Sequence, residues 1–136
     1  MLRRLIVAAA FAAICPLSYA QDTMSEYNRC LELHAAAYSN EVNTIEDVLI
    51  QGADVNCRNK EDGNSTPLMS AAGSGNLDAT KALIEHGAAV DARDDHGQTA
   101  LMRAQRTRDA LAEKLPMVAG RFDQVIAYLK TKTGSP

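Results

Sequence analysis

Three kinds of residue in this sequence could do chemistry: cysteines, histidines and a Gly-Ser-Gly turn. Cys15 falls inside an apolar leader, which leaves Cys30 and Cys57. Two cysteines in an exported chain permit a disulfide, and the same pair fits as small apolar fillers. His34, His86 and His96 include no pair at i, i+4, and there is no Cys-x-x-Cys, so no metal site is expected from ligand spacing. Gly73-Ser74-Gly75 lacks the strand–turn–helix setting of a nucleophilic serine. No Gly-Lys-Ser/Thr follows it, so it is not a phosphate loop. It reads as a turn between helices. Neither catalytic residues nor a cofactor is expected, and the chain is read as a non-enzyme.

The leader bears on the cysteines because it sets the compartment. Arg3 and Arg4 precede an unbroken apolar run from Leu5 to Ile14; Pro16 ends it, and Ser18-Tyr19-Ala20 forms a small-x-small site before Gln21. This is the pattern of a secretory signal peptide over residues 1–20, cleaved after Ala20. The run is too short to cross a hydrocarbon core of about 30 Å, and Ile14 is too bulky for a lipoprotein site at Cys15. The short basic region and Ala-rich run point to a bacterial periplasmic or secreted protein, with no stable membrane insertion after cleavage.

The formal net charge of −3 argues against general nucleic-acid binding. It is unevenly spread: residues 21–100 hold five basic and 14 acidic side chains, whereas residues 101–136 hold seven basic and three acidic. The first part is suited to a basic or polar protein partner.

The elements that position these residues are clearest over 66–92. Thr66 is a helix N-cap and Pro67 stands at the first helical position, where its missing N–H costs nothing. Leu68, Ala71 and Ala72 form a small apolar face; Gly73, Gly75 and Asn76 stop the helix. A second helix follows with Leu77, Thr80, Ala82, Leu83 and Ile84 inward, and Gly87 is placed to end it in the left-handed conformation. Such a pair cannot bury its own apolar face and needs stacked neighbours. Leu31 to Ala37 matches Thr66 to Ala72 at an offset of 35; Asn40 falls on Gly75 and Gly52 on Gly87. Val42, Ile45, Val48 and Leu49 form the buried side there. Thr99-Ala100-Leu101-Met102 opens a third unit, in which Gly120-Arg121-Phe122-Asp123 matches Gly75-Asn76-Leu77-Asp78 only after a 12-residue insertion. The last helix draws on Val125, Ile126, Tyr128 and Leu129.

The order Thr-Pro-Leu-x-x-Ala-Ala, Gly, apolar helix, Gly-Ala-x-Val-Asp-Ala resembles the ankyrin repeat. The resemblance implies an all-α solenoid of about three helix–turn–helix repeats joined by β-hairpin-like fingers. The expected organisation is a cap segment at 21–30, a repeat domain at 31–130 and a disordered tail at 131–136. The repeats are placed at about 31–58, 64–92 and 97–130, with the insertion at 107–119. The chain departs from the family's Thr-Pro-Leu-His at Met69 and Met102, while His34 sits in the repeat without the Thr. Either methionine packs against neighbouring helices instead, or the array is looser than the family norm. In such a stack Cys30 and Cys57 both lie near the hairpin side, and a bridge closing 27 residues contributes about 3.5 kcal/mol in the chain-entropy model.

Carried onto this chain, the family's contact positions are Tyr38 and Ser39; Glu61, Asp62, Ser65, Ser70 and Ser74; and Asp95, His96, Gln98, Arg103, Arg106 and Thr107. Tyr38 is the expected anchor, and Arg103 with Arg106 is placed to meet acidic side chains. The resemblance implies a protein partner and a chain that is monomeric by itself. Small exported ankyrin proteins include catalase-associated partners in peroxide protection and immunity proteins that neutralise periplasm-acting toxic effectors. A structural or chaperone-like scaffold is the remaining class.

Overall fold

The computed structural model describes residues 25–134. The signal-peptide expectation for 1–20, the first part of the cap segment and the end of the tail lie outside the described residues. Among those described, six α-helices form three stacked pairs and there is no strand. Helix α1 runs through residues 25–39 and α2 is Val42–Ile50. The second pair is α3, Pro67–Gly73, and α4, Leu77–Glu85. The third is α5, Ala100–Ala112, and α6, Pro116–Thr133. Helix α3 packs on α5, while α4 sits between α2 and α6.

The helix starts follow from the caps. Thr66 Oγ1 accepts from the Met69 N–H at 3.4 Å, and Thr99 Oγ1 from the Met102 N–H at 3.3 Å. The ends follow from backbone freedom: Gly75 and Gly87 have φ of +71° and +90°, and Asn40 takes the equivalent of the Gly75 position at +61°. The core between layers is Leu33, Ile45, Val48, Leu68, Leu83, Val125 and Leu129, with alanines where helices approach closely. Met69 is part of this core, only 1% exposed, so the position expected to hold a histidine is filled by packing. Met102 is exposed.

Polar residues bind the repeats to each other. Buried Asn76 donates through Nδ2 to the carbonyls of Ala37 and Tyr38 in the first repeat, at 3.0 and 2.6 Å. Its Oδ1 accepts from Arg121 of the third repeat at 3.1 Å. Asn40 Oδ1 takes the Ala79 N–H and Asn56 Oδ1 the Ala89 N–H, at 3.0 and 2.7 Å. The Asn76 Nδ2 and Asn40 Oδ1 bonds pair backbone groups that a neighbour's helix end leaves open, and the Asn56 bond pairs one in the loop after α4. A disulfide joins Cys30 of α1 to Cys57, with Cα atoms 5.9 Å apart.

The third repeat differs from its expected form. The residues from 107 onward, expected as an insertion, are almost wholly helical. They lengthen α5 to Ala112 and start α6 at Pro116, giving a tall helical hairpin with its turn at 113–115. Gly120, matched in sequence to the turn glycine Gly75, lies inside α6 without positive φ. The cause is Pro116, which nucleates the helix one turn earlier, while a glycine within a helix costs only about 1 kcal/mol. Residues 131–133, expected to be disordered, continue α6 to a left-handed cap at Gly134. At the other end α1 already runs through residues 25–30, so the cap segment and first repeat share one helix.

Candidate functional site

Two fingers project from the helices on the side of α1, α3 and α5. The first contains a short 3₁₀ turn, Lys60–Asp62, capped by the Asn59 side chain, which accepts from the Glu61 N–H. It closes through one isolated bridge between Asn59 and Ser65. The second turns around Asp94, whose Oδ1 accepts from the N–H groups of His96 and Gln98, both at 2.9 Å. The fingers touch each other: the Asp95 N–H donates to the Gly63 carbonyl at 2.9 Å, and Arg58 donates to the Arg93 carbonyl at 2.7 Å.

Between fingers and helices lies a groove of about 410 Å³. Of the residues expected to contact a partner, Tyr38, Asp62, Ser70, Ser74, His96, Gln98, Arg103, Arg106 and Thr107 all line it. Tyr38, at the end of α1, is 69% exposed. Glu61 and Asp95 face elsewhere. Glu61 accepts from the Tyr27 hydroxyl at 3.3 Å, and both carboxylate oxygens of Asp95 accept from Asn64 Nδ2, at 3.0 and 2.9 Å. Ser65 is fully buried and reaches no partner surface. Met69 and Gly73, not anticipated, form part of the floor.

The electrostatics of the floor are set by Arg103. Its Nη1 donates to Asp62 at 2.9 Å, while Nε and Nη2 both donate to Asp94 Oδ2, at 3.1 and 2.8 Å. The Asp94 side chain has no exposed surface. Burial opposes its charge, but the Gln98 N–H, Arg103 and the His96 N–H outweigh that and hold its pKa below the ordinary value. Asp62 is lowered as well: burial again opposes, and the neighbouring Ser65 hydroxyl and the Arg103 pair prevail. Arg103 is raised, since its two carboxylates overcome the cost of desolvation. Arg103 thus meets acidic side chains as expected, but those of its own chain: Asp62 and Asp94 take three of its N–H donors. Arg106, one turn further along α5, forms no ion pair or side-chain hydrogen bond among the described residues.

A second cluster adjoins the groove. The ligand atoms of Cys30, His34 and Cys57 all lie within 4.8 Å of one another. His34 Nδ1 is 2.9 Å from Ser70 Oγ, an inter-repeat contact, and the ring is buried with its Nε2 lacking a hydrogen-bond partner. Burial depresses its pKa; the Cys57 carbonyl and Asp62 pull the other way, and Arg103 adds to the depression. Cys30 and His34 are four apart on one helix. That spacing is legible in the sequence once cysteine is counted beside histidine as a ligand. The third member arrives from a loop.

Comparison with known proteins matches the repeat region. Human "Arf-GAP with coiled-coil, ANK repeat and PH domain-containing protein 2" is 36% identical over 77 residues, 57% of this chain and 10% of that protein. The Gallus gallus protein of the same name is 31% identical over 105 residues, 77% of this chain and 12% of its own length. The Drosophila melanogaster "ARF GTPase-activating protein Git" is 35% identical over 103 residues, 74% of this chain and 14% of that protein. The chain therefore spans only about a tenth of the length of the first curated relatives it matches. The family model for ankyrin repeats, in three copies, matches residues 33–115. With its three stacked helix pairs and two fingers, the chain belongs to the ankyrin-repeat family, whose arrays are protein–protein interaction modules.

Proposed function

We propose that this chain is a non-enzymatic binding module of the periplasm, monomeric by itself, whose groove takes a polypeptide segment of one protein partner. The partner we assign is a catalase-class enzyme of peroxide protection. The observation that carries the binding reading is the groove itself. It offers an exposed aromatic, Tyr38, at the end of the first repeat and an uncommitted cation, Arg106, on the third, across a floor whose charges are already paired. An aromatic anchor beside a floor of paired charges lets a backbone approach without stranding a buried charge. The leader pattern in residues 1–20 supports the compartment, and the resemblance to small exported ankyrin proteins supports a protein partner of the catalase or the toxic-effector class alike.

The test is a pull-down from periplasmic extract with the full-length precursor expressed in its host, read by mass spectrometry. The expected result is recovery of a catalase, reduced about tenfold or more by Tyr38→Ala together with Arg106→Glu, as loss of a hot spot predicts. Glu61→Lys and Asp95→Lys should reduce it further at low salt. Asp62 is left intact because its reversal would break the Arg103 pair. Recovery of a toxic hydrolase instead would establish the immunity reading. Equal recovery by wild type and variants would refute the groove, and no specific partner would leave the scaffold reading.

A further inference from the structure

We propose that Cys30, His34 and Cys57 form a second site, a redox-gated site for a Zn²⁺-class metal ion, closed as a disulfide and opened by a dithiol. Three independent features of the cluster point there. Two thiol positions and one imidazole are the donor set preferred by a borderline-soft divalent ion, and their ligand atoms already lie within 4.8 Å of one another. His34 is 6% exposed, and its Nε2 has no partner, an expensive way to leave a buried polar atom unless something is to bind it. Its other nitrogen is fixed by Ser70 Oγ at 2.9 Å. In the tautomer whose Nδ1–H donates to that hydroxyl, the Nε2 lone pair is left free to bind an ion. A metal-ligating histidine is held through its second nitrogen in the same way.

The chemistry balances without further components. A dithiol transfers two electrons and two protons to the disulfide, becoming oxidised to its own disulfide and leaving two thiols. Each thiol then loses its proton to solvent as its sulfur binds the ion. The two sulfurs must part from bonding distance to about 3.8 Å, the span of two Zn–S bonds of about 2.3 Å at a tetrahedral angle. Cys57 lies half-buried outside any helix, after the first repeat, so the parting of the sulfurs falls to that loop, while Cys30 and His34 share a helix. Three protein ligands leave the fourth position to water. Ser70 borders both this site and the groove, so occupancy and partner binding share a residue.

The probe is Co²⁺, added anaerobically to the full chain after dithiothreitol reduction and removal of the reductant, with Zn²⁺ as competitor. The expected result is one equivalent bound with a thiolate-to-cobalt charge-transfer band, displaced by Zn²⁺, and none with the oxidised protein. Cys57→Ser should abolish the band. Ser70→Ala, which keeps every ligand, should weaken binding at least tenfold. Far-UV circular dichroism follows the fold throughout, and helix lost on reduction should return with the metal. A reduced chain that gives no band, or that stays unfolded in the presence of metal, overturns the proposal. So does a folded His34→Gln variant that binds Co²⁺ as tightly as wild type.

Discussion

At the scale of residues, Asp94 carries more of the site than any side chain expected to touch a partner. It turns the second finger through two backbone N–H groups and orients Arg103 through two guanidinium nitrogens. Removing it leaves a half-buried guanidinium with only exposed Asp62 as counter-ion. Asp94→Ala should therefore cost about 2–3 kcal/mol in urea unfolding, the scale of a lost buried charge-assisted pair. The pH dependence follows from the same bonds. A carboxyl whose pKa is lower in the fold than its ordinary value of 3.8 contributes stability above that value. The contribution is lost as pH falls below it toward the folded pKa. Wild-type stability should drop below about pH 4, and the Asp94→Ala variant should show a smaller drop over the same window.

At the scale of elements, two glycines with matching sequence context do opposite jobs. Gly75 ends the α3 turn at φ +71°, and a Cβ there would stand 3.2 Å from the Phe122 ring. Gly120 lies within α6, exposed, with nothing within 4 Å of an added Cβ. Gly75→Ala should destabilise by about 2 kcal/mol, combining left-handed strain with displacement of the ring. Gly120→Ala should stabilise by about 0.5–1 kcal/mol, because alanine loses less backbone entropy in a helix. Thermal unfolding of the pair decides whether the third repeat is a continuous hairpin: a destabilising Gly120→Ala would return the turn to that position.

At the scale of the whole molecule, a stack this short depends on ties that cross repeats. Asn76 links all three, and the Cys30–Cys57 bond fixes the terminal repeat to its own finger. The loop it closes, with a sequence separation of 27, implies that reduction costs about 3.5 kcal/mol in the chain-entropy model. The urea midpoint of the reduced, metal-free chain should fall accordingly, and an unchanged midpoint would show that the bond adds nothing to the fold. The charge asymmetry along the chain is partly consumed inside the molecule, since Arg103 of the basic part pairs with both Asp62 and Asp94 of the acidic part. What remains for a partner is smaller and more local than the sequence totals suggest.

By itself the sequence determined the repeat. Thr66, Pro67, Gly75 and Gly87 act on their own backbone within a turn or two, so their residue types announce helix starts and stops without knowledge of the neighbours. The resemblance it carries also placed most of the groove, because the family's finger-tip and inner-helix contact positions transfer onto matching residues of each repeat. Only the tertiary structure decided how the last repeat folds and what its charges do. Gly120 looked like a turn by register, but Pro116 and the packing of Phe122 and Val125 fixed the helix through it. The Arg103 network joins residues 41 positions apart, and Cys57 meets Cys30 and His34 from another element. Such contacts depend on how repeats stack in space, which no local pattern of residue types encodes.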